Sequence, residues 1–311
     1  MTIITITPNT VLDQVLIVEA LHKGKSLKAV EALQAMGGKP TDAAYILGEL
    51  GVPSVAWGFA AGITGMKIAQ MLQERGVTVE FTQVNGESRL IVLIIDQSDR
   101  TQTTISTSTL EVLPEHITAL KTRYEQSLSA ATVVVLGGSM PNGVTPQLYT
   151  ELIALAKTRG IPVVFDAGEP NLSAGLAAQP DYIKPNREEL AGLVGYPIDS
   201  IETAYKAGRE ILEKHGTIPV ITLREQGGIA VLPDRAYFIP PQQVEVISAA
   251  GAGDAVLAGI AASIHQGQSI EEGLRLGFAA AAAVLLSPGT ANCSRADVQA
   301  FLPKIELNPY P

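Results

Sequence analysis

The chain has 311 residues, with 22 Lys and Arg against 31 Asp and Glu, a net charge of −9. That balance argues against a nucleic-acid polyanion as the main partner, because phosphate-backbone binding runs on clustered cations. Hydrophobic residues at 46% and charged residues at 17% exclude a disordered chain, and the single cysteine, Cys293, excludes an intrachain disulfide or a cysteine-built zinc site.

The opening MTIITITPNT lacks the basic and long apolar regions of a signal peptide. The greasiest stretches, 247–264 and 276–286, are broken by Asp254 and glycines in the first case and only eleven residues long in the second. A spanning helix needs about 20 uninterrupted apolar residues. The expected setting is therefore the cytoplasm, with no membrane partner.

In chain order, Ile3–Thr7 is a β-branched run stopped by Pro8-Asn9 and predicts a first strand. Residues 41–50 predict a helix closed by Gly51, 54–59 a strand, 65–75 a helix closed by Gly76, and 77–81 an extended segment. Residues 89–95 and 101–107 are β-rich and joined by a polar turn, a hairpin signal. With 14–18 they predict a small separate sheet, read as a lid drawn from about 12–36 and 86–108. Strand and helix then alternate: strands at 132–136, 162–166, 181–185, 218–223 and 228–232, and helices at 146–159, 187–194, 204–215, 253–266 and 270–286. That alternation predicts one α/β domain over 1–311, with a parallel sheet covered on both faces. Residues 303–311 read as a loose tail.

In such sheets ligands sit beyond the carboxyl ends of the strands, so the loops there carry the chemistry. Gly251-Ala252-Gly253-Asp254 lies just ahead of a helix. Glycines at that place let main-chain amides converge on an anion, aided by the helix dipole. Asp254 also suits a helix cap. An anion cradle beside a carboxylate fits phosphoryl transfer to a hydroxyl, with the carboxylate taking the proton. The loop matches neither a P-loop nor a dinucleotide fingerprint, which has Gly or Ala where Val256 stands. Gly37-Gly38-Lys39-Pro40-Thr41-Asp42 offers close backbone approach and a point charge for phosphate, or else an ordinary turn with a solvated lysine. Gly137-Gly138-Ser139-Met140-Pro141 follows another strand. Lys184-Pro185-Asn186-Arg187-Glu188-Glu189 has two readings: Asn186 and Glu189 form a capping box, or they hold waters of a magnesium ion. His22, His116, His215 and Cys293 form no recognisable constellation.

Together these segments resemble the PfkB (ribokinase-like) carbohydrate kinases, from Thr7 to about Leu302. Gly251–Asp254 is similar to that family's C-terminal signature, Gly37-Gly38-Lys39 to its N-terminal one, and Asn186–Glu189 to its Asn-x-x-Glu element. Thr7–Asp13, Gly138–Pro141 and Ser287–Thr290 resemble the branch of 1-phosphofructokinases and tagatose-6-phosphate kinases.

The resemblance implies a three-layer α/β/α fold with a small β lid, and ATP with Mg²⁺ as cosubstrate and cofactor. It implies Asp254 as catalytic base, with the amides of Ala252, Gly253 and Asp254, after Gly251, as anion hole. Asp13 would bind sugar hydroxyls, and Gly37, Gly38 and Asp42 would lie beside it. Lys39 and Arg89, with Ser139, would hold the phosphate already on the sugar. Lys184, Asn186, Thr222, Arg224, Gly227 and Asn292 would serve ATP, with Asn186 and Glu189 reaching Mg²⁺ through water. The lid would be the place for a homodimer contact. The implied reaction converts a ketohexose phosphate to a bisphosphate. A kinase of an unphosphorylated sugar or nucleoside, or a non-catalytic sensor on the same scaffold, is the alternative. The chain departs from the family pattern at Asp42 (usually Asn), Ile91 (Asn in the branch), Arg224 (Gly), Ala249 (a small hydroxyl residue) and Ala255 (commonly Ser), so the sugar end is the more altered one.

Overall fold

The computed structural model describes residues 1–99, 101–107 and 110–311. Arg100 of the predicted hairpin turn and Ser108 of the predicted lid lie outside that set. The chain runs β1 (Thr2–Asn9), β2 (Val11–Val18), β3 (Glu31–Gly37), α1 (Lys39–Glu49), β4 (Ser54–Ala60) and α2 (Gly62–Glu74). Short β5 (Thr78–Val79), β6 (Thr82–Gln83) and β7 (Asn85–Gly86) precede β8 (Arg89–Asp96), β9 (Gln102–Ser106) and β10 (Leu110–Glu111). Then come α3 (Pro114–Ser127), β11 (Ala131–Gly137), α4 (Gln147–Thr158), β12 (Val163–Asp166), α5 (Asn171–Leu176), β13 (Tyr182–Ile183), α6 (Arg187–Val194) and α7 (Ile201–His215). The remainder is β14 (Ile218–Thr222), β15 (Gly228–Val231), β16 (Ala236–Ile239), α8 (Ala252–Gln266), α9 (Ile270–Leu285), α10 (Arg295–Phe301) and β17 (Asn308–Tyr310).

The main sheet has the order β17-β16-β15-β14-β13-β12-β11-β1-β4-β5. It is parallel from β5 to β14 and antiparallel from β14 to β17. Side chains alternate across a strand, so each strand feeds two cores. Ile4, Ile6, Val134 and Leu136 face the layer of α3 to α7, and Ile3, Val133 and Val135 face α1, α8, α9 and α10. Glycines let α9 pack tightly on α8: a Cβ added to Gly259 would stand 2.2 Å from the Gly277 nitrogen.

The expected tail is a correction. Residues 308–310 form an antiparallel edge strand on β16, and Tyr310 stacks obliquely on Tyr205 with ring centres 5.1 Å apart. The backbone hydrogen bonds and the aromatic contact outweigh the entropy of a free segment. The second sheet, β3-β2-β8-β9, is separate, as the two β-rich runs predict. It meets the main body through the β1–β2 connection at Thr10 and through the start of α1, beside the carboxyl ends of β1 and β11.

Candidate active site

The parallel register brings four strand ends to one edge. Gly137 pairs with Asp166 across β11 and β12, and Lys184 follows β13 with its main-chain nitrogen donating to the Phe165 carbonyl at 3.1 Å. There, between the main sheet and the second sheet, lies a cleft of about 360 Å³. Its walls include Asn9, Asp13, Gly38, Lys39, Asp42, Arg89, Ser139, Gly251, Asp254 and Thr290. A groove of about 490 Å³ between α3 and α4 is larger, but its Lys121 and Glu151 neutralise each other at 2.7 Å and no helix N-terminus opens into it.

Gly38 (φ 92°) and Gly251 (φ 80°) adopt left-handed conformations at the starts of α1 and α8, where a side chain would be strained. Gly251 also packs on the Ala291 nitrogen, 2.4 Å from where a Cβ would stand. The tight turn opens α8 with no side-chain cap. The expected three-amide cradle is only partly open: Asp254 N donates to Gly251 O at 3.0 Å and Ala252 N reaches Ala249 O at 3.4 Å. Among the described residues, Gly253 N has no such bond, so it is the amide free to meet an anion, with the positive end of the helix dipole behind it.

The charges fall into three groups. At one end, Arg89 donates from Nη1 to Ser139 Oγ at 3.1 Å and from Nε to Ser106 Oγ at 2.8 Å, and Asn9 Nδ2 donates to the same Ser139 oxygen at 3.1 Å. These donors make a polar corner suited to an anion with several oxygens. At the other end, Asp166 is fully buried between two lysines, with Lys39 Nζ at 2.7 Å and Lys184 Nζ at 2.8 Å. Lys39 also pairs with Glu189. The expectation that Lys39 works beside Arg89 is therefore modified. Its ammonium is held at the Asp166 end because two carboxylates there offset its desolvation, and together they raise its pKa.

Between these ends sit three carboxyl groups. Asp13 has its pKa pushed up to about 6 by burial, against the opposing pull of a 2.5 Å hydrogen bond from Thr290 Oγ1 and of the Arg89 charge. Asp42 is 2% exposed, and burial raises its pKa, reinforced by the Asp254 and Asp13 charges. Asp254, in the first turn of α8, is pushed up to about 7 by burial and by the Asp166 charge, with Lys184 and Lys39 pulling the other way. A carboxylate with a pKa near neutrality is suited to accept a proton. The first turn of α1 carries Asp42 toward Asp254 and Asp13.

On the remaining side the capping box forms as read: Asn186 N donates to Glu189 Oε2 and Glu189 N donates to Asn186 Oδ1, both at 2.9 Å. Thr222 bridges to Asn186 at the end of β14. Arg224 stands at φ 53°, the left-handed conformation glycine takes without strain, and its exposed guanidinium pairs with Glu188 at 3.0 Å. Gly227 (φ 82°) closes that turn, and a Cβ there would stand 2.1 Å from Ile239 O. Asn292 does not join the cleft. Its amide oxygen accepts from Arg75 Nη2 at 3.0 Å, because the guanidinium, already on Glu49 and stacked over Tyr45, has a donor to spare. The sequence reading gives no role to Asp166, Asn9 or Thr290, the last two being quoted only within the Thr7–Asp13 and Ser287–Thr290 segments. Asp166 carries a usable signal, a carboxylate at the carboxyl end of a parallel strand. The bond from Thr290 to Asp13 carries none, because its ends lie 277 positions apart.

The profile of the pfkB family of carbohydrate kinases matches residues 4–297. The chain belongs to that family. Its relatives include the 1-phosphofructokinases of Escherichia coli strain K12 and Bacillus subtilis strain 168. Each is 28% identical over 307 residues, covering 98% of this chain and 98% and 99% of theirs. Among solved structures, Escherichia coli phosphofructokinase-2 in complex with substrates and products superposes with a TM-score of 0.89 at 26% identity, over 98% of this chain and 99% of that one. A Thermotoga maritima protein titled a possible 1-phosphofructokinase gives 0.90 at 25% identity, over 100% of both chains. As a family member, the chain has the ribokinase-like α/β architecture and is an ATP-dependent sugar kinase.

Proposed function

We propose that this kinase transfers the terminal phosphoryl group of ATP to a hydroxyl of a ketohexose phosphate of the fructose 1-phosphate or tagatose 6-phosphate type, giving a bisphosphate and ADP. One observation carries the reading: a single cleft holds Gly251 and Asp254 at the start of α8, where the Gly253 amide is unbonded, and at its other end the Arg89–Ser139–Asn9 corner. The first end suits proton removal and phosphoryl charge, and the second suits a phosphate already on the sugar. Asp13 lies between them, where sugar hydroxyls would reach. The names of the relatives agree with this.

In this reading Asp254 takes the hydroxyl proton, Gly253 N–H and the α8 dipole face the migrating phosphoryl group, and Lys39 neutralises charge on it. The turn from Thr222 to Gly227 would border the nucleotide. Among the described residues no cluster of three metal-ligating side chains exists, so an all-protein magnesium cage does not fit. An ion carried on the ATP phosphates does fit, since Mg²⁺ keeps several waters. Glu189 and Asn186 would hold those waters, and the ion would supply charge neutralisation to the phosphates. Exposed apolar surface on the second sheet, Ile105 at 54% exposure, supports reading it as the face for a homodimer contact. No helix among the described residues is long and apolar enough to cross a membrane, and dependence on ATP favours the cytoplasm.

The test is ADP release on fructose 1-phosphate, tagatose 6-phosphate, fructose 6-phosphate and the free sugars. At least one ketohexose phosphate should exceed its free sugar by about 100-fold or more in kcat/KM, the worth of two charge-assisted hydrogen bonds. Equal turnover of the free sugar would refute the reading.

A further inference from the structure

Asp42 is an acid where the family pattern has a neutral amide. Its side chain is buried at 2% exposure in the first turn of α1, and Oδ1 has no hydrogen-bond partner among the described residues. Asp42 and Asp254 line the same cleft, from the first turns of α1 and α8, and their carboxyl groups face each other there as a hydrogen-bonded pair. Two carboxyl groups can meet in that way only if a proton lies between them, since neither anion can donate.

The surroundings decide which one holds it. Asp254 on α8 faces Lys184 and Lys39 as well as Asp166, so cations support its negative form. The charged groups bearing on Asp42 are Asp254 and Asp13, both acidic. Lys39, three residues away, turns toward Asp166, Glu189 and Asp254 rather than toward Asp42, and Arg89 bears on Asp13. The α1 dipole favours an anion at Asp42, but by no more than about 1 kcal/mol at such a position.

We propose that Asp42 and Asp254 work as one pair sharing a proton, with Asp42 the neutral acid and Asp254 the base. The proposal rests on the phosphoryl-transfer reading above. The substrate O–H bond breaks as the proton passes to Asp254. The substrate oxygen bonds to phosphorus, and the bridging P–O bond of ATP breaks, leaving its electron pair on ADP. The proton then leaves the pair to water. Asp42 acts as a positioning residue: it donates to Asp254 and keeps a second negative charge away from the incoming phosphoryl group. Ionising Asp42 at alkaline pH removes the donor and adds that charge, so turnover falls.

The experiment compares wild type, Asp42→Asn and Asp42→Ala by kcat against pH, with melting curves to confirm folding. Asn keeps a donor that cannot ionise. The alkaline fall of the wild-type profile should disappear in Asp42→Asn, and Asp42→Ala should lose about tenfold more turnover at neutral pH than Asp42→Asn. Superimposable profiles for wild type and Asp42→Asn, or equal losses in the two variants, would overturn the proposal. In parallel, carboxyl ¹³C resonances of aspartate-labelled wild-type protein are followed against pH. At least one should titrate near or above neutrality and be lost in Asp42→Asn. If every aspartate in the wild type finishes titrating below pH 5, there is no shared proton. If no sugar phosphate is turned over but the neutral titration is present, the phosphoryl-transfer reading has failed and the pair stands.

Discussion

Replacing Arg89 by alanine isolates the end of the cleft that would recognise the substrate's own phosphate. The side chain is half-buried and anchored by two hydrogen bonds to serines, Ser139 at 3.1 Å and Ser106 at 2.8 Å, so its direction is fixed before any ligand arrives. Hydrogen bonds between charged groups contribute about 1.5–3 kcal/mol each, and Ser139 and Asn9 remain to keep part of the interaction. A net loss of about 2–3 kcal/mol follows, which is about a 30- to 150-fold rise in KM for the sugar phosphate. The KM for ATP should move less than about threefold, because Arg89 has no contact with the Asp166 end. Arg89→Lys should recover only part of the loss, since an ammonium lacks the planar fork. Steady-state kinetics with each substrate varied in turn gives the answer. An equal rise in both Michaelis constants, or an unchanged one for the sugar phosphate, would refute the assignment of this corner to phosphate.

Three other outcomes are expected. Asp254→Asn keeps the shape of the site and removes the base, so kcat should fall by about 100-fold or more; a loss under about tenfold in single-turnover measurements would count against proton transfer there. Thr290→Val removes the 2.5 Å bond that holds the Asp13 pKa down, so that pKa should climb above about 6 and KM for the sugar should worsen most between pH 6 and 7. Folding carries the opposite signature: a raised Asp13 contributes stability that is full below about pH 4 and lost as pH rises toward 6. Asp13→Asn should flatten that fall, which chemical denaturation across this window measures. Arg224→Gly should relieve the left-handed backbone at φ 53° and give up only an exposed ion pair, raising the melting temperature by about one to three degrees in calorimetry.

The strands of the main sheet were legible because β-branched runs ended at glycine, proline or asparagine, and most predicted boundaries fell within two or three residues of the observed ones. Helix α3 was not, because its stripe is thin: of Pro114–Ser127 only Leu120 and Tyr124 are buried, too few to mark a period. The antiparallel edge was missed for another reason. Residues 236–239 and 308–310 are short, and only their pairing makes them strands. At the site, the glycine turns and Asp254 could be read locally, since a helix start has a local code. The partnerships could not. Lys39 finds Asp166 and Glu189 across 127 and 150 positions, and nothing in GGKPTD announces that its lysine will turn that way or that its aspartate will face another.

The two rims of the main sheet share a property that bears on how the protein behaves when concentrated. One ends in β5, only two residues long, and the other in β17, whose middle residue, Pro309, has no N–H to offer. A long, flat rim would recruit a neighbouring molecule's strand and propagate into fibrils. Here both are too short or too poor in donors to template growth, so association through these borders is discouraged by the backbone itself.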